Sequence, residues 1–389
     1  MSTPRIPVDL ILEKTAESVA KSQEKVLKSK DVLLGALDTS IATTPYEVVY
    51  KESRVKLKHY LPIAESRVRT PLLMVYALVN RETMLDLQPG RSLVQNLLKE
   101  GVDVYMIDWG YPTRKDRFQT IDDHVNGFLN NIVDFIRQRH GIPKINIMGA
   151  CMGGTFSIMY SALHPQKVKN LITIVTQSNF DTDKSLLNIW AKAIDPDLVV
   201  DTHGNLPGDA LNVGFLLLNP ARLIVDKYVG YFENIDDKAF VENFIRMEKW
   251  IFDSPDVPGE VFRQFIKDFF QKNLLIQNKM ELGGKRVDLG NITMPVINIY
   301  GRFDHLVPPE ACEILISKIG SRDKENLCID TGHIGIFVSG KSQKELAPRM
   351  ARWLGDRDGV EQKYAAPRRT RPNTRRTRPK IARSLSLAR

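Results

Sequence analysis

The pattern of apolar and polar positions changes its period several times along the chain. Runs that are apolar at successive positions are typical of strands covered on both faces, and they alternate with segments of helical periodicity. The predicted strands cover residues 56–60, 71–76, 102–107, 144–148, 171–176, 295–300 and 327–330, and the predicted helices cover residues 92–99, 121–139, 156–163 and 310–319. This alternation predicts an α/β domain with a mostly parallel sheet and helices on both of its faces.

The alternation stops between residues 180 and 289, where the sequence has a helical pattern and is rich in aromatic residues. We expect this insertion to form a cap over the carboxyl edge of the sheet. The core would then consist of residues 46–179 and 290–355. Residues 1–45 have the spacing of an amphipathic helical arm that packs loosely, and residues 356–389 are expected to be disordered.

The charge of the chain is concentrated at one end. There are 55 Lys and Arg against 46 Asp and Glu among the 389 residues, which gives a formal charge of +9. Residues 357–389 contain 11 of the basic and 2 of the acidic residues, so the rest of the chain is neutral. Charge alone therefore does not indicate that the folded body binds nucleic acid. The basic tail either binds a polyanion or anionic lipid, or only keeps the protein in solution.

The sequence lacks the signals of an exported or membrane-spanning protein. It contains neither 18 consecutive apolar residues nor an apolar N-terminal stretch long enough for the core of a signal peptide. Its three cysteines are too few for a disulfide framework and are typical of a reducing compartment. We therefore expect a cytoplasmic protein without a transmembrane segment.

One cysteine lies in the sequence Gly-Ala-Cys-Met-Gly-Gly at residues 149–154, between a predicted strand and a predicted helix. This is the pattern of a nucleophile elbow, with cysteine in the place of the more common serine. Glycines two residues before and two after Cys151 permit the tight turn, and the start of a helix favours the thiolate. We therefore predict that Cys151 is a nucleophile, and the alternative is a buried structural cysteine in a glycine turn.

A thiol nucleophile needs a base and a group that orients the base, and in this arrangement both follow later in the chain. Asp304 comes directly after the predicted strand 295–300, and His333 comes directly after the strand 327–330. Ligands bind at the carboxyl ends of the strands in such sheets. Asp304 alone would more often be a turn residue and His333 a structural histidine, but together they predict a Cys–Asp–His site.

An oxyanion that forms at this site needs hydrogen-bond donors. The backbone N–H of Met152, directly after the nucleophile, is the first expected donor. The second is expected from Val79 or Asn80, in the loop after the strand 71–76. His305, next to Asp304, is a second candidate for the base, although a side chain that points away is the simpler interpretation.

An alternative metal site would use two histidines and two cysteines. His305, Cys312, Cys328 and His333 are separated by 6, 15 and 4 residues and lack the closely spaced cysteine pair of structural zinc sites. No Gly-x-Gly-x-x-Gly sequence or P-loop opens a helix after the first strand. We therefore expect no bound metal and no nucleotide cofactor.

The chain resembles the polyhydroxyalkanoate synthase family over residues 45–355. The sequence at residues 149–154 is similar to the Gly-x-Cys-x-Gly-Gly box of these enzymes. Further similar sequences lie at residues 76–81, 107–112, 159–165, 246–255, 262–268, 304–309 and 332–335. The length resembles that of the short catalytic subunits of two-component synthases, class III first and class IV second. One departure lies at residues 176–180, Thr-Gln-Ser-Asn-Phe, where many relatives have Thr-Pro-hydrophobic-Asp-Phe.

The resemblance implies the α/β-hydrolase fold and a polymerisation reaction. An (R)-3-hydroxyacyl-CoA, such as short-chain 3-hydroxybutyryl-CoA, would acylate Cys151 and release coenzyme A. The 3-hydroxyl group of the next monomer or of the chain end would then extend the polyester. His333 would deprotonate Cys151, and Asp304 would either orient His333 or assist the attacking hydroxyl. Coenzyme A is thus part of the substrate and a product, and no cofactor is implied.

The resemblance also implies partners and a location. The chain would work with a second, non-homologous synthase subunit of class III or class IV type, for which the arm of residues 1–45 is a candidate docking element. It would form a homo-oligomer and lie in the cytoplasm at the surface of the growing polyester granule.

Two other functions remain open at the level of the sequence. A Cys-dependent α/β-hydrolase that acts on thioesters or lactones would have the same fold and site, but generic hydrolases lack the sequences at residues 246–255 and 262–268. A protein that tethers granules or polyanions would act through its basic tail. Because all three residues of the Cys–Asp–His site are present, tethering would be an added role.

Overall fold

A computed structural model of the chain describes residues 37–358. Within these residues the strands are β1 (Tyr46–Glu52), β2 (Val55–Tyr60), β3 (Val68–Val75), β4 (Asp86–Gln88), β5 (Arg91–Ser92), β6 (Val102–Asp108), β7 (Ile145–Ala150), β8 (Val168–Ile174), β9 (Glu281–Leu282), β10 (Lys285–Arg286), β11 (Val296–Gly301) and β12 (Lys324–Ile329). Eight of them form one sheet in the order β1-β2-β6-β3-β7-β8-β11-β12. Strands β1, β2 and β6 pair in antiparallel fashion, and every other pair in this sheet is parallel.

The helices of the described part are α1 (Leu93–Lys99), α2 (Asn130–His140), α3 (Met152–Leu163), α4 (Leu186–Ala193), α5 (Pro196–His203), α6 (Gly208–Leu217), α7 (Lys227–Glu233), α8 (Lys238–Phe252), α9 (Gly259–Gln264), α10 (Pro309–Glu313), α11 (Leu315–Lys318), α12 (Gly335–Val338) and α13 (Gly340–Gly355). Three π-helical segments cover Asp123–Leu129, Ala221–Asp226 and Phe265–Gln271. In the chain from residue 37 to 358, no helix combines the length and the apolar character needed to cross a membrane.

The sheet is the centre of the core because its middle strands are covered on both faces. All residues of β7 and β11 are buried, and β3, β6 and β8 each have one residue that is not. Helices α1 and α13 pack together and contact the sheet, while α3 packs on β7 and β8. Eleven of the twelve residues of α3 are buried, as expected for a helix that is apolar on all sides. The predicted mostly parallel sheet with helices on both faces is confirmed.

The inserted segment between β8 and β11 is mostly helical from α4 to the π-helical segment Phe265–Gln271. Its start and this π-helical segment meet in an aromatic cluster. Phe180, at its start, lies at ring-centroid distances of 5.6, 5.2 and 5.0 Å from Phe265, Phe269 and Phe270, near its end. Edge-to-face ring contacts of this kind add to the burial of apolar area. The contacts place the start of the insertion against residues 265–270. We refer to residues 180–289 as the cap, and their position over the carboxyl edge of the sheet stays a prediction.

The predicted helical arm is wrong for the part that the structure describes. Residues 37–45 form no helix. Instead, Thr44 Oγ1 donates a hydrogen bond to Asp86 at 2.6 Å, and Arg246 Nε donates to the Ser40 carbonyl at 3.0 Å. Arg246 also lies 3.2 Å from the Asp38 carboxylate. This segment therefore bonds to the core and the cap and forms no helix, and residues 1–36 lie outside the described part.

The boundary of the predicted disordered tail is also corrected. Residues 356–358 belong to the folded body, because the Asp358 carboxylate accepts hydrogen bonds from Thr70 Oγ1 at 2.7 Å and from Lys169 at 2.9 Å. Because the tail is basic overall, its composition did not indicate that Asp358 would bind to the folded body. Residues 359–389 lie outside the described part, so the expected disorder and polyanion binding of the tail stay predictions.

Several further elements differ from the sequence-based expectation, and helix α13 and the short strands β4, β5, β9 and β10 were not predicted. Strand β1 was not predicted, because it is an edge strand whose side chains are mostly exposed and whose apolar run, residues 48–50, is short. The predicted helix 310–319 is divided into α10 and α11, with Ile314 between them. The helix after the elbow begins at Met152 and not near residue 156, so the nucleophile directly precedes it.

Candidate active site

Cys151 lies between the last residue of β7 and the first residue of α3, in a strained backbone conformation. Its φ is 53° and its ψ is −126°, a combination that residues with a side chain rarely adopt. The turn is held by backbone hydrogen bonds, from the Cys151 amide to the Ile174 carbonyl at 2.9 Å and from the Gly154 amide to the Cys151 carbonyl at 2.9 Å. The strain is thus maintained by the surrounding structure, as is typical of a nucleophile held above a sheet.

The two glycines that flank Cys151 are required by close backbone approach. A Cβ at Gly153 would clash with the carbonyl oxygens of Val75 and Tyr76, and one at Gly149 would clash with Gly154. Because these neighbours are backbone atoms, they cannot rotate away as a side chain can. The elbow therefore brings the start of α3 directly against the end of β3.

Asp304 and His333 lie in the loops after β11 and β12 and are hydrogen-bonded to each other. The distance from His333 Nδ1 to Asp304 Oδ2 is 2.7 Å, and the exposed fractions of the two side chains are 8% and 0%. The second oxygen of Asp304 accepts the backbone amides of Leu306 and Val307, each at 2.9 Å. The carboxylate is therefore fixed on both of its oxygens, which leaves the Nε2 edge of His333 for Cys151.

The electrostatic environment of His333 favours a charged ring. Burial opposes that charge, but the negative charges of Asp304 and of the Cys151 thiolate, together with hydrogen bonds to both, raise the pKa of His333 from 6.5 to about 10. Because the pKa of His333 responds to Cys151, the thiol lies close to the ring. The site consequently favours the charged form of His333, which is the form that a histidine takes after it accepts a proton.

The predicted oxyanion donors lie on two neighbouring segments. Met152 is the first residue of α3, so its amide has no acceptor within the helix and is free to bind another oxygen. Val79 and Asn80 lie in the loop after β3, whose last residue, Val75, pairs with Gly149 of β7. The loop therefore lies beside the elbow. Asn80 has a φ of 58°, and its side chain points toward the cap, where it donates to Ser254 Oγ at 2.5 Å.

Two residues of the site were missed by the sequence analysis. Tyr76 is buried beside Cys151, and burial, with a smaller effect from the cysteine's charge, raises the pKa of Tyr76 well above 10. Val175 has a φ of 45°, which is rare for a β-branched residue. It follows Ile174, the acceptor of the Cys151 amide. Tyr76 is the last residue of its predicted strand and Val175 the last but one of its own, and nothing in their local pattern distinguishes them from core residues.

The alternative roles of His305 and of the cysteine–histidine set find no support in the geometry. His305 is exposed, and it is His333 that binds the Asp304 carboxylate. Burial and the neighbouring charges of Arg222 and His333 lower the pKa of His305, against the opposite effect of Asp304. Cys312 is buried in a separate apolar cluster. Among residues 37–358, no three His, Cys, Asp or Glu side chains form a group that could hold a metal ion.

Comparison with known sequences shows similarity over nearly the whole chain. Residues 70–339 match the family model described as alpha/beta hydrolase fold, and residues 12–97 match the model described as poly-beta-hydroxybutyrate polymerase (PhaC) N-terminus. Proteins named poly(3-hydroxyalkanoate) polymerase subunit PhaC from Thiocystis violacea and Allochromatium vinosum are each 47% identical to the chain, over 352 and 356 residues, with 90% of this chain and 99% of the relative covered. A protein of the same name from Synechocystis sp. is 47% identical over 355 residues, with 89% and 94% covered.

Comparison with solved structures supports the fold. A soluble variant of monoglyceride lipase from Saccharomyces cerevisiae is similar with a TM-score of 0.52 at 16% sequence identity, with 83% of this chain and 98% of that chain covered. At this level of identity the likeness concerns the arrangement of strands and helices, and it says nothing about the reaction.

Proposed function

The chain belongs to the poly(3-hydroxyalkanoate) polymerase family, with the α/β-hydrolase fold, and we propose that it builds its polyester from (R)-3-hydroxyacyl-CoA through an acyl thioester on Cys151. As a member of this family it is an acyltransferase. The observation that carries the proposal for the site is the buried Asp304–His333 pair, whose histidine is in contact with a strained elbow cysteine.

The first half of the reaction is acylation. His333 removes the proton of Cys151, and the sulfur attacks the thioester carbon of the acyl-CoA, so that a new C–S bond forms and the carbonyl oxygen becomes an oxyanion. The amides of Met152 and of Val79 or Asn80 donate to this oxygen. When the intermediate collapses, the bond to the coenzyme A sulfur breaks and His333 returns its proton to that sulfur. The products are free coenzyme A and an acylated Cys151.

The second half is elongation. The 3-hydroxyl oxygen of another acyl unit attacks an acyl thioester, its proton passes to His333, and the thioester sulfur leaves as an ester bond forms. Both oxygens of Asp304 already accept hydrogen bonds, and its side chain is 0% exposed. This arrangement supports the role of orienting His333 over direct contact with the attacking hydroxyl. A thiol suits the cycle, because it accepts the acyl group from one thioester and forms another at little energetic cost.

The family relationship also bears on partners and location. The curated relatives are named polymerase subunits, so the chain is one subunit of a polymerase. The partner we propose is a second, non-homologous subunit of class III type, with class IV as the alternative. The complex would work as a homo-oligomer of the catalytic chain in the cytoplasm, at the surface of the polyester granule, and it would need no cofactor beyond its acyl-CoA substrate.

The proposal is tested by measuring coenzyme A release from (R)-3-hydroxybutyryl-CoA by the full chain, alone and with a class III partner subunit, and by identifying the product. Release that is lost in Cys151→Ala, with polyester as the product, supports the proposal. Cys328→Ala is the matched control, because it removes another partly buried thiol. Cys151-dependent release of free 3-hydroxybutyrate would support the hydrolase instead, and release that persists in Cys151→Ala would refute the assignment of the nucleophile.

A further inference from the structure

The loop of residues 77–81, which carries one of the proposed oxyanion donors, is anchored from two sides. On the side of the core, Trp109 Nε1 donates to the Tyr76 carbonyl at 2.9 Å, just before the loop begins. The Arg81 guanidinium, at the end of the loop, binds Glu82 at 3.0 Å and Asp108 at 3.2 Å. Between these two fixed points, the polar contacts come from the cap.

Two cap residues, one on α8 and one just after it, hold the last two residues of the loop. Trp250 Nε1 donates to the Arg81 carbonyl at 2.8 Å, and the Ser254 hydroxyl accepts the side-chain amide of Asn80 at 2.5 Å. The Trp250 side chain is 4% exposed. Because the Trp250 indole is buried, its hydrogen bond is shielded from water and fixes the loop more firmly than an exposed contact would.

A third cap residue completes the network. Asn212, on α6, donates to the Ile251 carbonyl at 2.8 Å, and its Oδ1 lies 3.0 Å from Ser254 Oγ and 3.5 Å from Asn80 Nδ2. Two helices of the cap therefore meet at the side chain of Asn80. The left-handed backbone of Asn80 is tolerated by asparagine better than by most residues, and the side-chain contacts hold it in that conformation.

We propose that the cap sets the conformation of the oxyanion loop, with Ser254 and Trp250 as positioning residues that act through Asn80 and Arg81. This inference rests on the proposed function, because it concerns the donor from Val79 or Asn80. Acyl transfer is fast only while the end of α8 is seated on the loop. A cap that moves away to admit a substrate or to pass a growing chain takes both anchors with it and relaxes the donor.

The test uses Ser254→Ala, which removes the hydroxyl acceptor, and Trp250→Phe, which removes the indole donor and keeps an aromatic ring. Each variant should lower kcat for coenzyme A release by roughly tenfold, less than the 10²- to 10³-fold typical of deleting a donor outright. KM should stay unchanged. Alkylation of Cys151 by iodoacetamide should keep its wild-type rate, because this reaction needs the thiolate but forms no oxyanion. Ser254→Thr, which restores a hydroxyl, should recover most of the activity.

Thr202→Ala is the matched control, since Thr202 is another cap hydroxyl whose hydrogen bond, to the Leu198 carbonyl, lies on α5, away from the loop. An unchanged kcat in both variants would overturn the inference, as would alkylation that slows in proportion to acyl transfer. A loss in Thr202→Ala equal to that in Ser254→Ala would also overturn it. If Trp250→Phe does not fold, as judged by its thermal transition, the comparison of Ser254→Ala with Ser254→Thr decides whether the inference holds. A wild-type chain without Cys151-dependent release would refute the proposed function itself, whereas active variants refute only the role of the cap.

Discussion

Replacing Asp304 with asparagine removes the negative charge of the side chain and keeps its shape, so the variant tests what the charge contributes. The amide oxygen of the variant can still accept the backbone amides of Leu306 and Val307, so the loop should keep its conformation. The amide nitrogen, however, would donate to His333 Nδ1, where the wild-type carboxylate accepts a proton. His333 would then carry its proton on Nε2 and could no longer take one from Cys151.

The expected loss follows from the environment of His333. Burial disfavours the charged ring, yet the carboxylate of Asp304 and the Cys151 sulfur raise its pKa from 6.5 to about 10. One pKa unit corresponds to about 1.4 kcal/mol, so the preference of His333 for the imidazolium form amounts to roughly 5 kcal/mol. Asp304 is the largest of the contributions that raise this pKa, so the barrier in the variant should rise by several kcal/mol, and acyl transfer should slow by roughly 10³-fold.

The assay follows coenzyme A release and, separately, the pH dependence of Cys151 alkylation. In Asp304→Asn, the pKa of His333 should fall below its wild-type value, and alkylation near neutral pH should slow together with acyl transfer. Asp330→Asn is the matched control, because Asp330 follows the same strand as His333 but pairs with the exposed cations Arg302 and Lys341. Release within tenfold of wild type in Asp304→Asn, or an equal loss in the control, would refute the reasoning.

Three further outcomes are expected. Gly153→Ala should lower the free energy of unfolding by about 2–3 kcal/mol in urea denaturation, because the new methyl group meets the carbonyl oxygens of Val75 and Tyr76; an unchanged midpoint would contradict the geometry of the elbow. Since the pKa of His333 is raised from 6.5 to about 10, its contribution to stability is complete below pH 6.5 and is lost as the pH rises toward 10; wild type should lose more stability over this interval than His333→Gln, and parallel curves would argue against the shift. Arg246→Met should remove the ion pair and hydrogen bond that hold residues 38–40, so limited proteolysis should cut there faster than in wild type; equal cleavage rates would show that the segment is held otherwise.

The sheet could be predicted from the sequence because its middle strands are buried on both faces and therefore have continuous apolar runs. Strand β1 shows the limit of this signal, since it lies at the edge, with most of its side chains exposed. The positions of Asp304 and His333 followed from the same logic. Once two segments are recognised as parallel strands, the residues after them must lie at one edge of the sheet.

The contacts between the cap and the core could not be predicted in this way. Asn80 and Ser254 are 174 positions apart, and their hydrogen bond produces no periodic pattern in either segment. The same holds for Asp358, which follows the last helix and binds Lys169, 189 positions earlier in the chain. Such polar contacts depend on how two elements dock, and local propensity contains no information about docking.

The two sides of the site are supported by different parts of the molecule. The acid and the base lie in loops after β11 and β12, where the Asp304 carboxylate is fixed by backbone amides of its own loop. The loop beside the elbow is fixed by Trp250 and Ser254 of the cap. Formation of the thiolate should therefore be insensitive to the position of the cap, whereas stabilisation of the oxyanion should depend on it. In a polymerase, this division would keep Cys151 ready to react whatever the position of the cap, while acyl transfer would depend on the contact between the cap and the loop.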